Sequence, residues 1–286
     1  MGPLELVKLD RLMQLSSGKP EVVIGLIDGP VAVEHSDLAK ANVREVLGMQ
    51  GTTRSVRSSI ACRHGTFVAG ILSARRGSAA PAICPECTLL VRPIFSEMAH
   101  GNGEMPSASP QALATAIHEV AAAGARVINL SAALLRPTSK GVRTLQQALD
   151  SAATKGAIIV AAAGNQASVG SSVITSHPSV IPVIGCDRQG RPTVESNLGN
   201  SIGRHGLAAP GENITSLGTD GKLRTFGGTS AAAPFVSGAI ALLWSEFPGV
   251  NATRIRLAIT QPARRRRAIV PPLLNAWEAY EFLSNN

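Results

Sequence analysis

Aromatic side chains are scarce in this chain. Phe, Trp and Tyr together make up 3% of its 286 residues, while hydrophobic residues of all kinds make up 44%. A core with so few rings must be built from Ala, Val, Ile and Leu at close packing, which suits a parallel α/β sheet better than a β-sandwich. Long apolar runs are also missing, since no stretch approaches the roughly 18 uninterrupted apolar residues of a membrane span. The opening MGPLELVKLDRLMQL is interrupted by charges at Glu5, Lys8, Asp10 and Arg11, so neither a secretory signal nor a membrane partner is expected. Cysteine is limited to Cys62, Cys84, Cys87 and Cys186, too few for a disulfide framework at this length. With no secretion signal, a reducing cytoplasm is the expected compartment.

Acidic residues are outnumbered as well: 27 Lys and Arg face 19 Asp and Glu, for a formal charge of +8. Part of the excess is the run Arg264 to Arg267, whose neighbours are Pro, Ala, Ile and Val. A nucleic-acid surface would set aromatic or base-reading residues beside such a run, so nucleic acid is not an expected partner. The run reads as a solvated basic loop, with a docking patch for an acidic peptide as the alternative.

Short apolar runs bounded by turn residues are what the chain does have: EVVIGLID (21–28), TLLVRPIF (88–95), ARVINLS (125–131), AIIVAAAGN (157–165) and VIPVIGC (180–186). Alanine-rich helical stretches lie between them, notably 109–125 and 141–157. The first has Ser109 as a candidate N-cap with Pro110 behind it, and the two end at Gly124 and Gly156. Alternating strands and helices predict right-handed βαβ units in a three-layer α/β fold, a doubly wound, mostly parallel sheet with helices on both faces. One domain spans 1–286, with an N-terminal extension at 1–20 and, at 262–286, a basic loop leading to a surface helix near Leu274 to Leu283. That tail is assigned packing or docking and no chemistry.

Sites in such sheets collect at the carboxyl ends of strands, where this chain places Asp28, Ser131 and Asn165. Asp28 closes an all-apolar strand, where a carboxylate is costly to bury without donors. His64 opens the small-residue run HGTFVAGIL, which predicts a helix beginning beneath the histidine. Ser230, in GGTSAAAPFVSG, falls at a helix start, where free N–H groups favour developing negative charge. Singly, each has a structural reading: turn aspartate, core histidine, capping serine, turn asparagine. Their joint occurrence, in the order Asp, His, Ser, favours a catalytic one.

With these four segments the chain resembles subtilisin-type serine proteases. IDGPVAVEHSDL is similar to the family's aspartate motif, HGTFVAGIL to its histidine motif, AAAGN to its oxyanion-hole motif and GTSAAAPFVSG to its serine motif. The resemblance implies Ser230 as nucleophile, His64 as general base and acid, Asp28 as its orienting carboxylate, and Asn165 as an oxyanion donor. It also implies a peptide or protein substrate held as an added strand. Ser131, Ala132 and Ala133 would line one side of the S1 pocket, Ala162, Ala163 and Gly164 the opposite wall, and Gly101, Asn102 and Gly103 the strand on the substrate's other side. Pro234 reads as a residue within the first turn or so of the serine helix, where its missing N–H costs little.

Departures from the family pattern are equally informative. Gly29 and Pro30 follow the aspartate where Thr or Ser is usual, Phe67 replaces a common histidine, and Ala231 replaces a methionine. Asp37 matches a position the family can use for calcium, but the loop that should complete the site, ARRGSAAP, offers two arginines and no carboxylate. No metal or other cofactor is therefore expected. Cys84 and Cys87 are expected to be free thiols or a short-range disulfide, with half a zinc site as the lesser alternative. Cys62, two residues before His64, is a thiol expected near the site.

No large propeptide is expected from the short segment before Val22, and the "DG" opening and the CPEC segment ahead of LLVRPIF resemble the proteases that remove leaders from ribosomally made peptides, as in cyanobactin pathways. That likeness implies a precursor peptide and modifying enzymes as partners. Macrocyclases on the same fold insert a helical lid near the histidine, and NVREVLGMQGTTRSVRSSIA leaves no room for one, so hydrolysis is expected over cyclisation. An inactive, peptide-binding version of the fold would have lost Asp28, His64, Asn165 or Ser230.

Overall fold

A computed structural model describes residues 1–46, 59–95, 108–131, 141–260 and 268–285. Each of the predicted apolar runs forms a strand: β1 (Val23–Asp28), β3 (Thr88–Pro93), β4 (Val127–Leu130), β5 (Ile158–Ala162) and β6 (Val180–Cys186). Two further strands, β2 (Val43–Glu45) and β7 (Leu207–Pro210), complete a seven-stranded sheet in the order β2-β3-β1-β4-β5-β6-β7, with every pair parallel. A separate antiparallel hairpin joins β8 (Ile214–Leu217) to β9 (Leu223–Phe226).

Ten helices are described: α1 (Pro3–Leu6), α2 (Leu9–Leu15), α3 (Ile60–Ser73), α4 (Pro110–Ala122), α5 (Val142–Thr154), α6 (Val173–Ser176), α7 (Asn200–His205), α8 (Thr229–Glu246), α9 (Ala252–Thr260) and α10 (Ala276–Ser284). Alternate strand residues face opposite layers, and both layers are apolar. Ile24, Leu26, Val127, Ile158 and Val160 pack with α2, α3 and α8. Ile27, Ile128, Leu130, Ile159 and Ala161 pack with α4 and α5. Burial on both faces explains why the strands read as unbroken hydrophobic runs.

The helix signals behave as their chemistry requires. Ser109 accepts from the Ala112 N–H at 3.1 Å, with Pro110 leading α4. Gly124 and Gly156 end their helices at φ +91° and +84°, where a side chain would be strained. The expected tail helix is α10, but Ala276, Ala279 and Leu283 are buried, so it is a packed element against α2 and α9. The Arg264 to Arg267 run lies outside the described residues. No helix among the described residues is long and apolar enough to cross a membrane.

Candidate active site

The chain reverses its direction of sheet growth between β1 and β4, and the candidate residues gather at the carboxyl end of that junction. Asp28, the last residue of β1, is fully buried. Its Oδ1 accepts from the Gly29 N–H at 2.6 Å and lies 2.7 Å from His64 Nδ1. His64 Nε2 in turn lies 2.9 Å from Ser230 Oγ. A carboxylate, an imidazole and a hydroxyl thus form one hydrogen-bonded row.

His64 does not begin its helix. Ser59 caps α3 by accepting from the Cys62 N–H at 3.0 Å, so the histidine sits in the second turn. Two glycines let that turn approach Asp28. A Cβ at Gly29 would lie 2.0 Å from the Ala61 carbonyl oxygen, and one at Gly65 would lie 2.4 Å from the Gly29 oxygen. Backbone therefore packs on backbone here, and the Thr or Ser usual in the family at position 29 would not fit.

Burial alone would press the His64 imidazole below its ordinary pKa, but the charge of Asp28 and its hydrogen bond outweigh that and hold it above. As a general base His64 would have to be neutral, so activity is expected to fall as pH drops through this raised value. The acid limb of kcat/KM is expected above the ordinary imidazole value of about 6.5. Asp28→Asn should move that limb downward, as a pH–rate profile would report. The stability linkage runs oppositely: this contribution is complete below the unfolded pKa and is lost as pH rises through the folded one.

Ser230 is the second residue of α8, whose N-cap is Gly228 at φ +97°. The preceding Thr229 clasps the loop that carries Asn165 twice. Its N–H donates to Asn165 Oδ1 at 2.9 Å, and its Oγ1 accepts from the Gly164 N–H at 3.1 Å. With Oδ1 occupied, the Asn165 Nδ2 amide is directed along Gly228, where a Cβ would meet it at 2.9 Å. The arrangement offers two donors to a developing oxyanion, this amide and the free N–H at the helix start. Pro234 is the sixth residue of α8, early in its second turn, and its missing N–H leaves the Ser230 carbonyl without its intrahelical partner.

Of the expected substrate-binding residues, Ala162, Ala163 and Gly164 lead directly from β5 to Asn165, and Gly164 has φ +103°. Ser131 follows β4 and is buried. Gly101, Asn102, Gly103, Ala132 and Ala133 lie outside the described residues. Asn129 escaped notice in the sequence although it is fully buried. Its Nδ2 donates to Ser131 Oγ at 2.7 Å, and its Oδ1 accepts from Ser237 Oγ of α8 at 2.8 Å. A polar residue inside the run VINL was the available signal, because it demands buried partners.

Asp37 pairs with a neighbouring arginine. Asp37 Oδ1 accepts from Arg75 Nη2 at 3.1 Å and Nε at 3.3 Å. Arg76 donates to four backbone carbonyls: Met13 at 2.7 Å, Ser16 at 3.0 Å, Ala82 at 2.8 Å and Ile83 at 2.7 Å. The four cysteines are buried, and none is in a disulfide. Burial, with the charge of Asp187, pushes the Cys186 thiol up to about 12, which makes it inert. Cys62 is fully buried, its sulfur 4.0 Å from Thr66 Oγ1.

Fold and site together put the chain among the subtilisin-like serine proteases. It belongs to the subtilase family, whose model matches residues 19–275. It is 28% identical over 265 residues to subtilisin DY of Bacillus licheniformis, covering 91% of this chain and 90% of that one. The solved structure of the prenylagaramide maturation protease PagA superposes with a TM-score of 0.83 at 27% identity, covering 97% of this chain and 99% of that one. The patellamide maturation protease PatA gives 0.79 at 29% identity, covering 94% and 99%.

Proposed function

We propose that the protein is an intracellular serine endopeptidase that removes a leader from a ribosomally made precursor peptide. The observation that carries the chemistry is the hydrogen-bonded row Asp28–His64–Ser230, at 2.7 and 2.9 Å. In the reaction Ser230 Oγ attacks the scissile carbonyl carbon while His64 Nε2 takes its proton. The resulting oxyanion accepts hydrogen bonds from Asn165 Nδ2 and the Ser230 N–H, and Asp28 stabilises the imidazolium. Collapse of this intermediate breaks the C–N bond, and His64 returns the proton to the leaving amine, giving an acyl-enzyme. Water, deprotonated by the same imidazole, then releases the acid and restores Ser230.

The substrate class is supported by the likeness to PagA and PatA, both maturation proteases. The lack of a disulfide among Cys62, Cys84, Cys87 and Cys186 suits a reducing compartment. Hydrolysis is favoured over cyclisation by the short connection between the aspartate and histidine motifs, which are 36 residues apart. Mass spectrometry of a precursor peptide incubated with the enzyme tests both points. The expected result is cleavage between leader and core, with the two products together heavier than the substrate by one water. A core product lighter than the linear core by one water would establish cyclisation instead, and an uncut precursor beside a cut generic peptide would remove the leader-processing role.

A further inference from the structure

Asn165 is exposed, and the Thr229 N–H fixes its Oδ1 but not the backbone that carries it. An oxyanion donor must be held within a few tenths of an ångström before the charge develops, because a group that reorganises during the reaction stabilises it less. The loop that carries Asn165 has no helix or strand of its own from 163 to 168. Thr229 holds it from one side, and on the other a single side chain grips it.

That side chain is Asn197. Its Nδ2 donates to the Ala163 carbonyl at 3.1 Å and to Gln166 Oε1 at 2.6 Å. Its Oδ1 accepts from the Gln166 N–H at 3.0 Å, the Ser168 N–H at 3.2 Å and the Ser168 hydroxyl at 2.9 Å. Both amide hydrogens and the whole acceptor capacity of the carboxamide are therefore committed to this loop. The residues it grips stand on both sides of Asn165. Gly164 wraps around it so closely that a Cβ there would lie 2.3 Å from Asn197 Nδ2.

Asn197 is itself anchored by backbone. Its N–H donates to the Gly164 carbonyl at 2.9 Å, and parallel contacts flank it: Ala167 N–H to Glu195 O at 2.8 Å and Leu198 N–H to Ser168 O at 2.9 Å. Thr229 holds the loop from the nucleophile's side and Asn197 from the opposite one.

We propose that Asn197 is a positioning residue for the oxyanion donor, acting on the transition state through Asn165 without touching substrate. The inference rests on the serine-protease reading above. It predicts a specific coupling: once Asn165 has no amide to aim, Asn197 has nothing left to contribute to turnover.

The test is a double-mutant cycle on the full chain with a chromogenic peptide, reading kcat and KM separately. Asn165→Ala is expected to lower kcat about 10²–10³-fold. Asn197→Ala should lower kcat at least ~10-fold with KM moved less than ~3-fold, as expected for a misplaced catalytic donor. The double variant should fall within ~3-fold of Asn165→Ala alone. If the two losses instead multiply, or if Asn197→Ala raises KM and spares kcat, the inference is overturned, since Asn197 would then support only the fold or the pocket wall at Ala163.

Should Asn197→Ala not fold, the paired change Gln166→Ala with Ser168→Ala removes the side chains that Asn197 grips and leaves its backbone contacts. A kcat loss of ~3-fold or more that vanishes in the Asn165→Ala background supports the proposal, and an unchanged kcat overturns it. Wild-type protein that neither cleaves peptide nor reacts with a fluorophosphonate would fail the serine-protease reading itself, whereas active wild type with multiplicative losses fails this inference alone.

Discussion

Ser230→Ala is expected to lower kcat by about 10⁶-fold and to abolish covalent labelling by a fluorophosphonate. The magnitude is the value measured for the subtilisin nucleophile, carried over to this family member rather than derived from its geometry. The geometry explains why the loss should be so complete. Ser230 Oγ lies 2.9 Å from His64 Nε2, and Asp28, fully buried, holds the other ring nitrogen. Without the hydroxyl, the imidazole has no nucleophile to activate. His64→Ala should cost about as much, and the double variant little more, because the residues act as one unit. The Ser230 side chain is half-exposed, so the melting temperature of Ser230→Ala should stay close to that of wild type. Labelling that survives in the folded variant would place the nucleophile elsewhere.

The second large effect concerns stability. Arg76→Ala should destabilise the fold by about 3 kcal/mol, the scale expected for losing several hydrogen bonds from a charged donor less the desolvation they offset. That corresponds to a fall in melting temperature of roughly 6–12 °C. The guanidinium joins the Met13 and Ser16 carbonyls at the end of α2 to the Ala82 and Ile83 carbonyls ahead of β3. Removing it leaves four acceptors facing a gap. The adjacent Arg75 is a built-in control: its side chain is 63% exposed in its pair with Asp37, and Arg75→Ala should cost less than about 1 kcal/mol. Calcium should not rescue Arg76→Ala, because carbonyls without carboxylates make a weak site for a hard cation. A thermal melt that responds equally to both arginines, or that calcium restores, would contradict this assignment.

Much of this architecture could be read in one dimension. The runs around Val23–Asp28, Ile158–Ala162 and Val180–Cys186 are continuous because both sides of the sheet are covered, and continuity is visible in a sequence. Asp28, His64, Asn165 and Ser230 carried local patterns, and the fold brings them together. What escaped was whatever depended on distant partners. The start of α3 four residues before His64 is set by Ser59 accepting from the Cys62 N–H, and the adjacent Ser58 and Ser59 leave the capping residue ambiguous in the sequence. Gly29 looked like an unexplained departure until the Ala61 carbonyl appeared above it. Ser237 lies 108 residues from Asn129, and Asn197 lies 31 from Gln166, so neither pairing leaves a local trace. The short β7, β8 and β9, four residues each, fall below the length at which alternation is distinctive.

Helix α8 has a consequence for the life of the chain before it is finished. Ser230 follows His64 by 166 residues and lies on a helix buried from Ala231 to Ser245, which touches β4, β5, β6 and β7 at once. Parallel pairing already makes folding slow, since long loops must close before their contacts form. Here the proposed nucleophile arrives on the same element that fills the middle of one layer, so a growing polypeptide that has exposed only its first strands has neither a completed core nor a complete candidate site. Hydrolytic competence is gated by completion of the fold, and a ribosome carrying half of this enzyme carries no protease.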